Sequence, residues 1–413
     1  MKKLIDWMTN VVGPKAGAFA RNPWIAAVQE TMVATMPVML ISSFITIISI
    51  INEYVPGFPD FSFISTYTMG LSSIMVAILL PTFILEKLRL PKYKRQAGFM
   101  AVALLFAISQ ASIDEEGLLG IWSDRVNASG MFVAIVSGLF VAYVMKVFSK
   151  RSLFKKDTQM PKFLVDSFDS MAPIIVIMVV AYVLCYLLKL DVYGIINTAL
   201  SPLLAIAQSL PGITLIMFLM AFFYSFGLSP WLLTPVYYAA GMDAIAKNAA
   251  AVAAGGKATL ILTNETLGGW IWLGGTGCTL TLCILFMTVC KSAKLKGLGK
   301  SCIVPGLFNI NEPIVFGSIV FNPLLMIPMW INPIVVTVIT YVVMRVGWVR
   351  IPSQSFMLWY MPIPIQTYLT NYDFRGVILV LLLLALTAVI WYPFVKAYDK
   401  QCLDEEAAEH QEK

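Results

Sequence analysis

Long, uninterrupted apolar runs separated by short polar loops dominate this sequence. Five of them lie in the first 190 residues, at 31–51, 66–85, 96–111, 131–147 and 172–188. Each has close to the roughly 20 residues that an α-helix needs to cross a bilayer. The runs are continuous and do not alternate over about ten residues, which excludes a transmembrane β-barrel. The pattern therefore predicts five transmembrane helices in the N-terminal region.

The second half of the chain is less regular. Residues 192–207 carry apolar side chains at helical spacing but are interrupted by polar residues and Pro202, so they fit either an outer interfacial helix or a short packed core helix. Runs at 212–226, 267–290, 319–343 and 377–395 are predicted to cross the membrane. The polar tract 229–266 is rich in Ala and Gly, yet one crossing is required there if the later charged loops are to fall on the correct face. Small residues permit the close packing that would screen it from lipid.

Two segments are too irregular to span, at 308–317 and at 354–372, where proline, glycine and polar residues interrupt the apolar pattern. Irregular backbone at membrane depth is tolerated where it is buried in protein or lines a cavity, so both are predicted to be re-entrant hairpins. The prediction is an all-α, polytopic integral membrane protein with about ten transmembrane helices, two re-entrant hairpins and amphipathic interfacial helices. It divides the chain into a five-helix region for oligomerisation (1–190), an interfacial helix (191–210), a substrate-binding transport region with broken helices (211–400) and a cytoplasmic tail (401–413).

Charge gives this arrangement an orientation. Basic clusters at 87–95, 150–162 and 291–300 alternate with acidic loops at 53–60 and 114–124, so the positive-inside rule places the basic loops and both termini in the cytoplasm. Arg345 and Arg350 fall on the outer side and depart from that rule. An amphipathic stripe from Leu4 to Val12 is predicted to lie on the membrane surface.

Composition supports a membrane protein and limits the metal, cofactor and catalytic chemistry that we expect. The chain is 59% hydrophobic and only 13% charged, far from soluble averages. The six cysteines lack a C-x-x-C motif, and the one histidine, His410, lies in the polar tail. We expect no metal site and no cofactor, and without a Walker motif, a nucleophile elbow or a dinucleotide fingerprint we expect no autonomous catalysis.

Glu312 is the strongest candidate for a functional residue. It lies in the first irregular segment, with Asn309 and Asn311 before it and Pro313 after it. A carboxylate in such apolar surroundings is costly unless it faces protein, water or a ligand. We interpret the segment as presenting Glu312 to a polar substrate. A loop at the membrane surface with a solvated Glu312 is the alternative.

Aromatic and glycine-rich stretches suggest what that substrate is. Trp272 precedes the run 274–277 (GGTG), which includes Gly275 and Thr276, and Trp359 lies in the second irregular segment. Indole faces can stack on a sugar ring while polar groups bind its hydroxyls. The same residues also fit an interfacial aromatic belt with helix-packing glycines.

At this point the sequence resembles a known family. Residues 306–317 (GLFNINEPIVFG) and 319–325 (IVFNPLL) are similar to the membrane component, enzyme IIC, of bacterial phosphoenolpyruvate-dependent sugar phosphotransferase systems, in the lactose/cellobiose/diacetylchitobiose branch. The resemblance extends over almost the whole chain. Other similar stretches are 34–37 (ATMP), 248–255 (NAAAVAAG), 272–277 (WLGGTG), 294–299 (KLKGLG) and 392–401 (YPFVKAYDKQ).

The resemblance implies a homodimeric permease in the bacterial inner membrane that binds a β-linked disaccharide. A separate cytoplasmic IIB protein, carrying a phosphocysteine, would phosphorylate the sugar, and Glu312 would lie beside the hydroxyl that receives the phosphoryl group. Asn248, in one of the similar stretches, joins the predicted substrate-binding residues. Many members carry a histidine in a Gly-Ile-His-Gly motif where this chain has Ser229, so the sugar identity is less certain.

Two other functions are compatible with the same residues. An ion-coupled sugar symporter or facilitator would deliver free sugar, and a membrane receptor would bind sugar without moving it. The product that accumulates inside the cell distinguishes them from a phosphotransferase permease.

Overall fold

The computed structural model describes residues 22–54, 57–150, 152, 161–228, 233–356, 358 and 361–411. They form two compact units, one ending at Leu204 and one beginning at Ala205. This boundary falls inside the segment predicted as an interfacial helix. The separate roles predicted for the two regions, oligomerisation and transport, stay predictions. The amphipathic stripe from Leu4 to Val12 lies outside the described residues.

The N-terminal unit is a helical bundle with one small β-ribbon. Its helices are α1 (Pro23–Tyr54), α2 (Ser62–Tyr67), α3 (Ser72–Lys87), α4 (Lys94–Ile108), α5 (Ser123–Val126), α6 (Met131–Phe148), α7 (Lys162–Ala181) and α8 (Val192–Gln208), the last running into the next unit. Strands β1 (Ser112–Ile113) and β2 (Leu119–Gly120) pair antiparallel.

Helix α3 is the centre of this unit and packs against α1, α4 and α6. Its buried stripe includes Val76, Ala77, Leu80 and Ile84. Gly138 of α6 allows close approach, because a Cβ there would lie 3.1 Å from the Leu80 side chain. Small residues of this kind let membrane helices approach without a directional bond.

Helix α8 exposes most of its surface. Ala207 is its one buried residue, whereas Ile195, Leu203 and Ile206 are more than half exposed. A helix packed in the core would bury such side chains. The burial pattern therefore does not support the core-helix interpretation of residues 192–207.

The C-terminal unit contains the interrupted helices. In chain order they are α9 (Leu210–Ser225), α10 (Thr234–Ala253), α11 (Asn264–Thr266), α12 (Leu280–Thr288), α13 (Ala293–Leu307), α14 (Glu312–Ile314), α15 (Pro323–Arg345), α16 (Ile363–Asn371) and α17 (Phe374–Gln411). Short π-helical turns follow α11 and α14, at Leu267–Ile271 and Val315–Ile319. The core of this unit includes Tyr224, Phe286, Met329 and Trp391.

Two predicted elements have different bounds. The run 267–290, predicted as one span, is not a continuous helix, because the chain leaves helical geometry after Ile271 and resumes it at Leu280. The predicted polar tail at 401–413 is helical as far as Gln411, since α17 continues through it. In the second irregular segment, α16 covers only Ile363–Asn371.

Five helical stretches in the described part are long and apolar enough to cross a membrane. They are Ser62–Lys87, Ala128–Phe148, Leu164–Leu187, Pro323–Arg345 and Phe374–Ala408. Helices α8 and α9, separated by Ser209, pass the same test as a pair and would add a sixth. The protein is thus an all-α polytopic membrane protein, and the number of ten crossings stays a prediction.

Candidate functional site

The site begins where α13 stops. The Ile310 N–H donates to the Pro305 carbonyl and the Asn309 N–H to the Gly306 carbonyl, while Asn309 has a left-handed φ of 60°. These two bonds and the left-handed residue form a Schellman motif with asparagine in the position that glycine usually takes. The motif ends α13, gives partners to the Pro305 and Gly306 carbonyls, and turns the chain into Asn311 and Glu312.

A glycine-rich loop packs directly against this turn. Gly274, Gly275 and Gly277 all have positive φ. A Cβ on Gly275 would lie 2.5 Å from Cγ of Asn311, which is closer than atoms can approach. Only glycine meets both demands, the backbone conformation and the close approach. The break in the predicted span 267–290 thus has a physical reason in these glycines.

Two buried asparagines connect the turn to the loop. Asn309 accepts a hydrogen bond from the Gly274 N–H at 2.9 Å. Asn311 donates to the Thr276 carbonyl at 2.8 Å and to the Thr279 hydroxyl at 3.1 Å. Both side chains therefore provide hydrogen-bond partners for irregular backbone. Within a membrane, backbone N–H and C=O groups must find such partners inside the protein.

Longer contacts extend this network to two more helices. Gln366 of α16, which is buried, lies 3.4 Å from the Asn309 amide nitrogen. The Tyr224 hydroxyl of α9 lies 3.4 Å from the Asn311 amide oxygen. At these distances the bonds are weak. They nevertheless place a polar residue from each of α9 and α16 at the same site.

Glu312 differs from its neighbours. It begins α14 and is exposed, whereas Asn309 and Asn311 are 7% and 5% exposed. Among the described residues its carboxylate has no hydrogen-bond partner, although it interacts electrostatically with Tyr224. Its exposure is compatible with both interpretations of this segment, presentation to a substrate and a solvated surface loop. The Glu312 side chain is exposed while the neighbouring asparagines are buried, so a ligand can reach it.

The glycine loop also carries Trp272. Its ring packs edge-to-face on Tyr237 at 5.8 Å between centroids, and the residue is half-buried. Its indole N–H is shielded and lacks a partner within the described part of the chain. A shielded donor without an acceptor is costly, so this N–H is suited to a polar ligand atom.

Asn248, another predicted site residue, has a different set of partners. The Asn248 amide donates to the carbonyls of Leu260 and Pro352 and accepts from the N–H groups of Thr259 and Leu260. Its side chain is therefore fully used by backbone, and it shares no partner with Asn309 or Asn311. Ser229 and Trp359 lie outside the described residues.

Tyr224, Thr279 and Gln366 join the site without having been predicted from the sequence. Nothing in the sequence signals them, because their partners are between 32 and 87 residues away. Glu265 is a further buried polar residue of the C-terminal unit. The structure buries it completely and uses it to accept the Phe356 N–H at 3.2 Å.

Comparison with known proteins identifies the family. The family model for the phosphotransferase system, EIIC, matches residues 29–333. The chain belongs to this family. The matched region contains the turn, the glycine loop and Glu312, and the resemblance predicted from residues 306–325 is confirmed. The symporter alternative is not favoured.

Similar proteins agree with this assignment. The lactose-specific EIICB component of Streptococcus mutans is 30% identical over 415 residues, covering 94% of this chain and 71% of the relative. The lichenan permease IIC component of Bacillus subtilis is 28% identical over 439 residues, covering 98% of this chain and 96% of the relative. The crystal structure of the transporter ChbC, the IIC component from the N,N'-diacetylchitobiose-specific phosphotransferase system, superposes with a TM-score of 0.87. It is 25% identical, with 97% of this chain and 99% of that chain covered.

Proposed function

We propose that this EIIC chain is a sugar permease that binds a β-linked disaccharide at Glu312 and presents it to a separate phosphorylated IIB protein. The observation that carries the proposal is the contrast between Glu312 and its neighbours. Asn309 and Asn311 are buried and used by the scaffold. Glu312 alone of the three is exposed, with a carboxylate free to accept a hydrogen bond.

Glu312 is assigned two roles, as a hydrogen-bond acceptor and as a general base. Its carboxylate accepts a hydrogen bond from the sugar hydroxyl and takes the proton as the hydroxyl oxygen attacks phosphorus. The phosphorus–sulfur bond of the partner's phosphocysteine breaks, and the thiolate leaves. Phosphoryl transfer depends mainly on positioning and charge stabilisation. The rigid turn on which Glu312 is mounted supplies the positioning.

The preference for a disaccharide rests on the relatives and on Trp272. The relatives are specific for lactose or named for lichenan, and the structural neighbour belongs to a diacetylchitobiose system. Trp272 offers an indole face beside the glycine loop and an N–H without a partner. A sugar needs both features, because its C–H faces are apolar and its rim is polar.

We further propose a homodimer in the bacterial plasma membrane with both termini in the cytoplasm, and with the N-terminal unit as the dimer contact. The alternation of basic and acidic loops along the sequence supports the orientation.

Uptake of radiolabelled cellobiose, chitobiose and lactose tests the proposal. Cells would express the chain with or without the IIB partner and the phosphoenolpyruvate-driven phosphorylation chain. We expect phosphorylated sugar to accumulate only with the partner, and Glu312→Gln to reduce the rate by about 100-fold or more because it removes a general base. Glu116→Gln, at an exposed carboxylate in the β1–β2 loop, is the matched control and should transport normally.

Free sugar accumulating without the partner would replace this proposal with a symporter. Sugar binding with no uptake under any condition would support a receptor.

A further inference from the structure

A basic cleft lies at the opposite end of α15 from the Glu312 site. Its volume is about 550 Å³, and it is lined by the ends of α10, α15 and α16, the first turn of α17 and the segment 349–354. Its polar and charged lining includes Lys257, Arg350, Ser353, Gln354, Tyr372 and Arg375. No predicted sugar-binding residue is among those that line it.

The cleft has an excess of positive charge. Its lining includes Lys257, Arg350 and Arg375, and among the described lining residues there is no carboxylate. Asp373, just behind the wall, pairs with Arg375 through two bonds of 3.0 Å and neutralises that cation. Lys257 and Arg350 have no ion-pair partner in the described part of the chain. Two cations therefore remain for an anionic ligand.

The main chain of Arg350 is held by two hydrogen bonds. The Arg350 N–H donates to Asp373 at 3.1 Å, and the Asn371 amide donates to the Arg350 carbonyl at 2.8 Å. Both bonds use the main chain of Arg350, so its guanidinium is not needed to hold the segment in place. The main chain of Arg350 is held in place while its guanidinium is left without an ion-pair partner in the described part of the chain, so the guanidinium is available to an anion.

The position of the cleft indicates the kind of anion. Two candidate membrane spans end beside the cleft, Pro323–Arg345 at Arg345 and Phe374–Ala408 at Phe374. The ends of membrane spans lie at the level of the lipid headgroups, so the cleft is placed at that level. Val346 is 73% exposed and Trp348 is 40% exposed, an apolar border of the type found at membrane interfaces. On the proposed topology this is the outer face, where Arg345 and Arg350 depart from the positive-inside rule. A ligand role for Arg350 accounts for part of that departure.

We propose that this basic cleft binds the phosphodiester headgroup of an anionic phospholipid. Arg350 supplies a planar fork suited to two phosphate oxygens, and Lys257 supplies a second charge. Ser353, Gln354 and Tyr372 offer uncharged hydrogen-bonding groups to a headgroup alcohol such as glycerol. The acyl chains lie against Val346 and Trp348. The proposal does not depend on the sugar or on Glu312.

Native mass spectrometry of the full-length chain in detergent provides the test. The protein would be titrated with phosphatidylglycerol and, separately, with phosphatidylcholine. We expect phosphatidylglycerol to be retained preferentially, and Arg350→Gln and Lys257→Gln each to weaken its binding about tenfold, the loss of one charge-assisted bond. Arg350→Lys should lose less. Arg345→Gln is the matched control, because Arg345 is an exposed arginine on the same end of α15 that does not line the cleft.

Two results would overturn the proposal. Equal loss of lipid in Arg345→Gln and Arg350→Gln would show general attraction between basic residues and lipid. Displacement of phosphatidylglycerol by inorganic phosphate would show a site for free phosphate. Thermal unfolding of each variant accompanies the titration, so that a folding defect is recognised, and Arg350→Lys keeps the test valid if Arg350→Gln unfolds.

Discussion

Asn309 and Asn311 stabilise irregular backbone with their side-chain amides, at positions where no helix can continue. Asn309 both adopts a left-handed conformation and binds the Gly274 N–H. Asn311 binds the Thr276 carbonyl across the close approach that Gly275 allows. The chain devotes these residues to holding Glu312, so changes near Glu312 should affect transport through geometry as much as through contact with sugar.

Gly275→Ala tests the close approach. The new Cβ would overlap Asn311 and the residue has φ of +93°, so we expect the free energy of unfolding to fall by about 1–3 kcal/mol and sugar uptake to be lost. Scanning fluorimetry in detergent and uptake in cells measure the two effects. Gly297→Ala is the control, because a Cβ there meets nothing within 4 Å in α13. It should be neutral or stabilising by about 0.5–1 kcal/mol, and equal effects at both positions would contradict the packing argument.

Substitution of Asn309 separates its two roles. Asn309→Gly keeps the left-handed turn but loses the bond to Gly274, whereas Asn309→Ala loses both. We expect both variants to transport poorly and the alanine variant to be less stable by about 1 kcal/mol, the cost of a left-handed alanine relative to glycine. Thermal unfolding distinguishes them. An alanine variant as stable as the glycine variant would show that the turn is not strained.

The start of α13 is fixed by carboxylates from α17. Asp399 accepts from the N–H groups of Lys291 and Ser292 at 2.9 Å. Glu406 accepts from the Ser292 hydroxyl at 2.7 Å and from the Lys294 N–H at 3.1 Å. Unpaired N–H groups at a helix start favour such negative partners. The helix that leads to Glu312 is therefore anchored by the C-terminal helix.

Removing these anchors should loosen α13. We expect Asp399→Asn and Glu406→Gln each to lower stability by about 0.3–1 kcal/mol, because each removes the negative charge that a helix start favours while keeping an oxygen acceptor, and to raise hydrogen exchange at the start of α13. Exchange mass spectrometry locates the effect. Asp404→Asn, an exposed acid on the same helix, should leave exchange unchanged; a similar rise in that variant would point to net charge instead of capping.

The turn between α16 and α17 responds to pH through Asp373. Burial alone would raise the pKa of this carboxyl, but hydrogen bonds from Arg375 and from the Arg350 N–H outweigh burial and hold it below its usual value. A carboxyl whose pKa is lower in the folded state stabilises at neutral pH, and the benefit disappears as pH falls through that lowered pKa. We expect Asp373→Asn to be less stable than the unmodified chain at pH 7, with the difference shrinking on acidification. A constant difference in thermal unfolding across that range would contradict this.

At the scale of the molecule, the sequence predicts membrane helices well and the site only in part. Long apolar runs such as 131–147 correspond to helices because burial in lipid leaves the backbone no alternative. The break at Gly274–Gly277 was missed because an apolar run of the right length conceals the glycines, and the contact that requires glycine at position 275 comes from Asn311, 36 positions further along. Asn248 joined the predicted site through the family resemblance of residues 248–255; in the structure its side chain binds backbone groups, and its role toward the sugar stays a prediction.

Labelling of introduced cysteines tests the proposed orientation of the whole chain. Glu116→Cys lies in the β1–β2 loop and Ser301→Cys on α13, both at exposed positions. In intact cells we expect a membrane-impermeant maleimide to label the first and not the second, and in lysed cells to label both. The unmodified chain controls for its native cysteines, five of which are buried. Labelling of Ser301→Cys in intact cells would invert the topology.

Helix α17 also connects two anchored ends, with Pro393 in its interior. It carries Arg375 of the basic cleft in its first turn and Glu406 near its last, about 46 Å apart at 1.5 Å per residue. Since each residue advances a helix by about 100°, inserting a single alanine near its middle would turn one end out of register with the other. The helix cannot satisfy both anchors after such a rotation. The basic cleft at one end of α17 and the start of α13 at the other end are therefore mechanically coupled through a single helix.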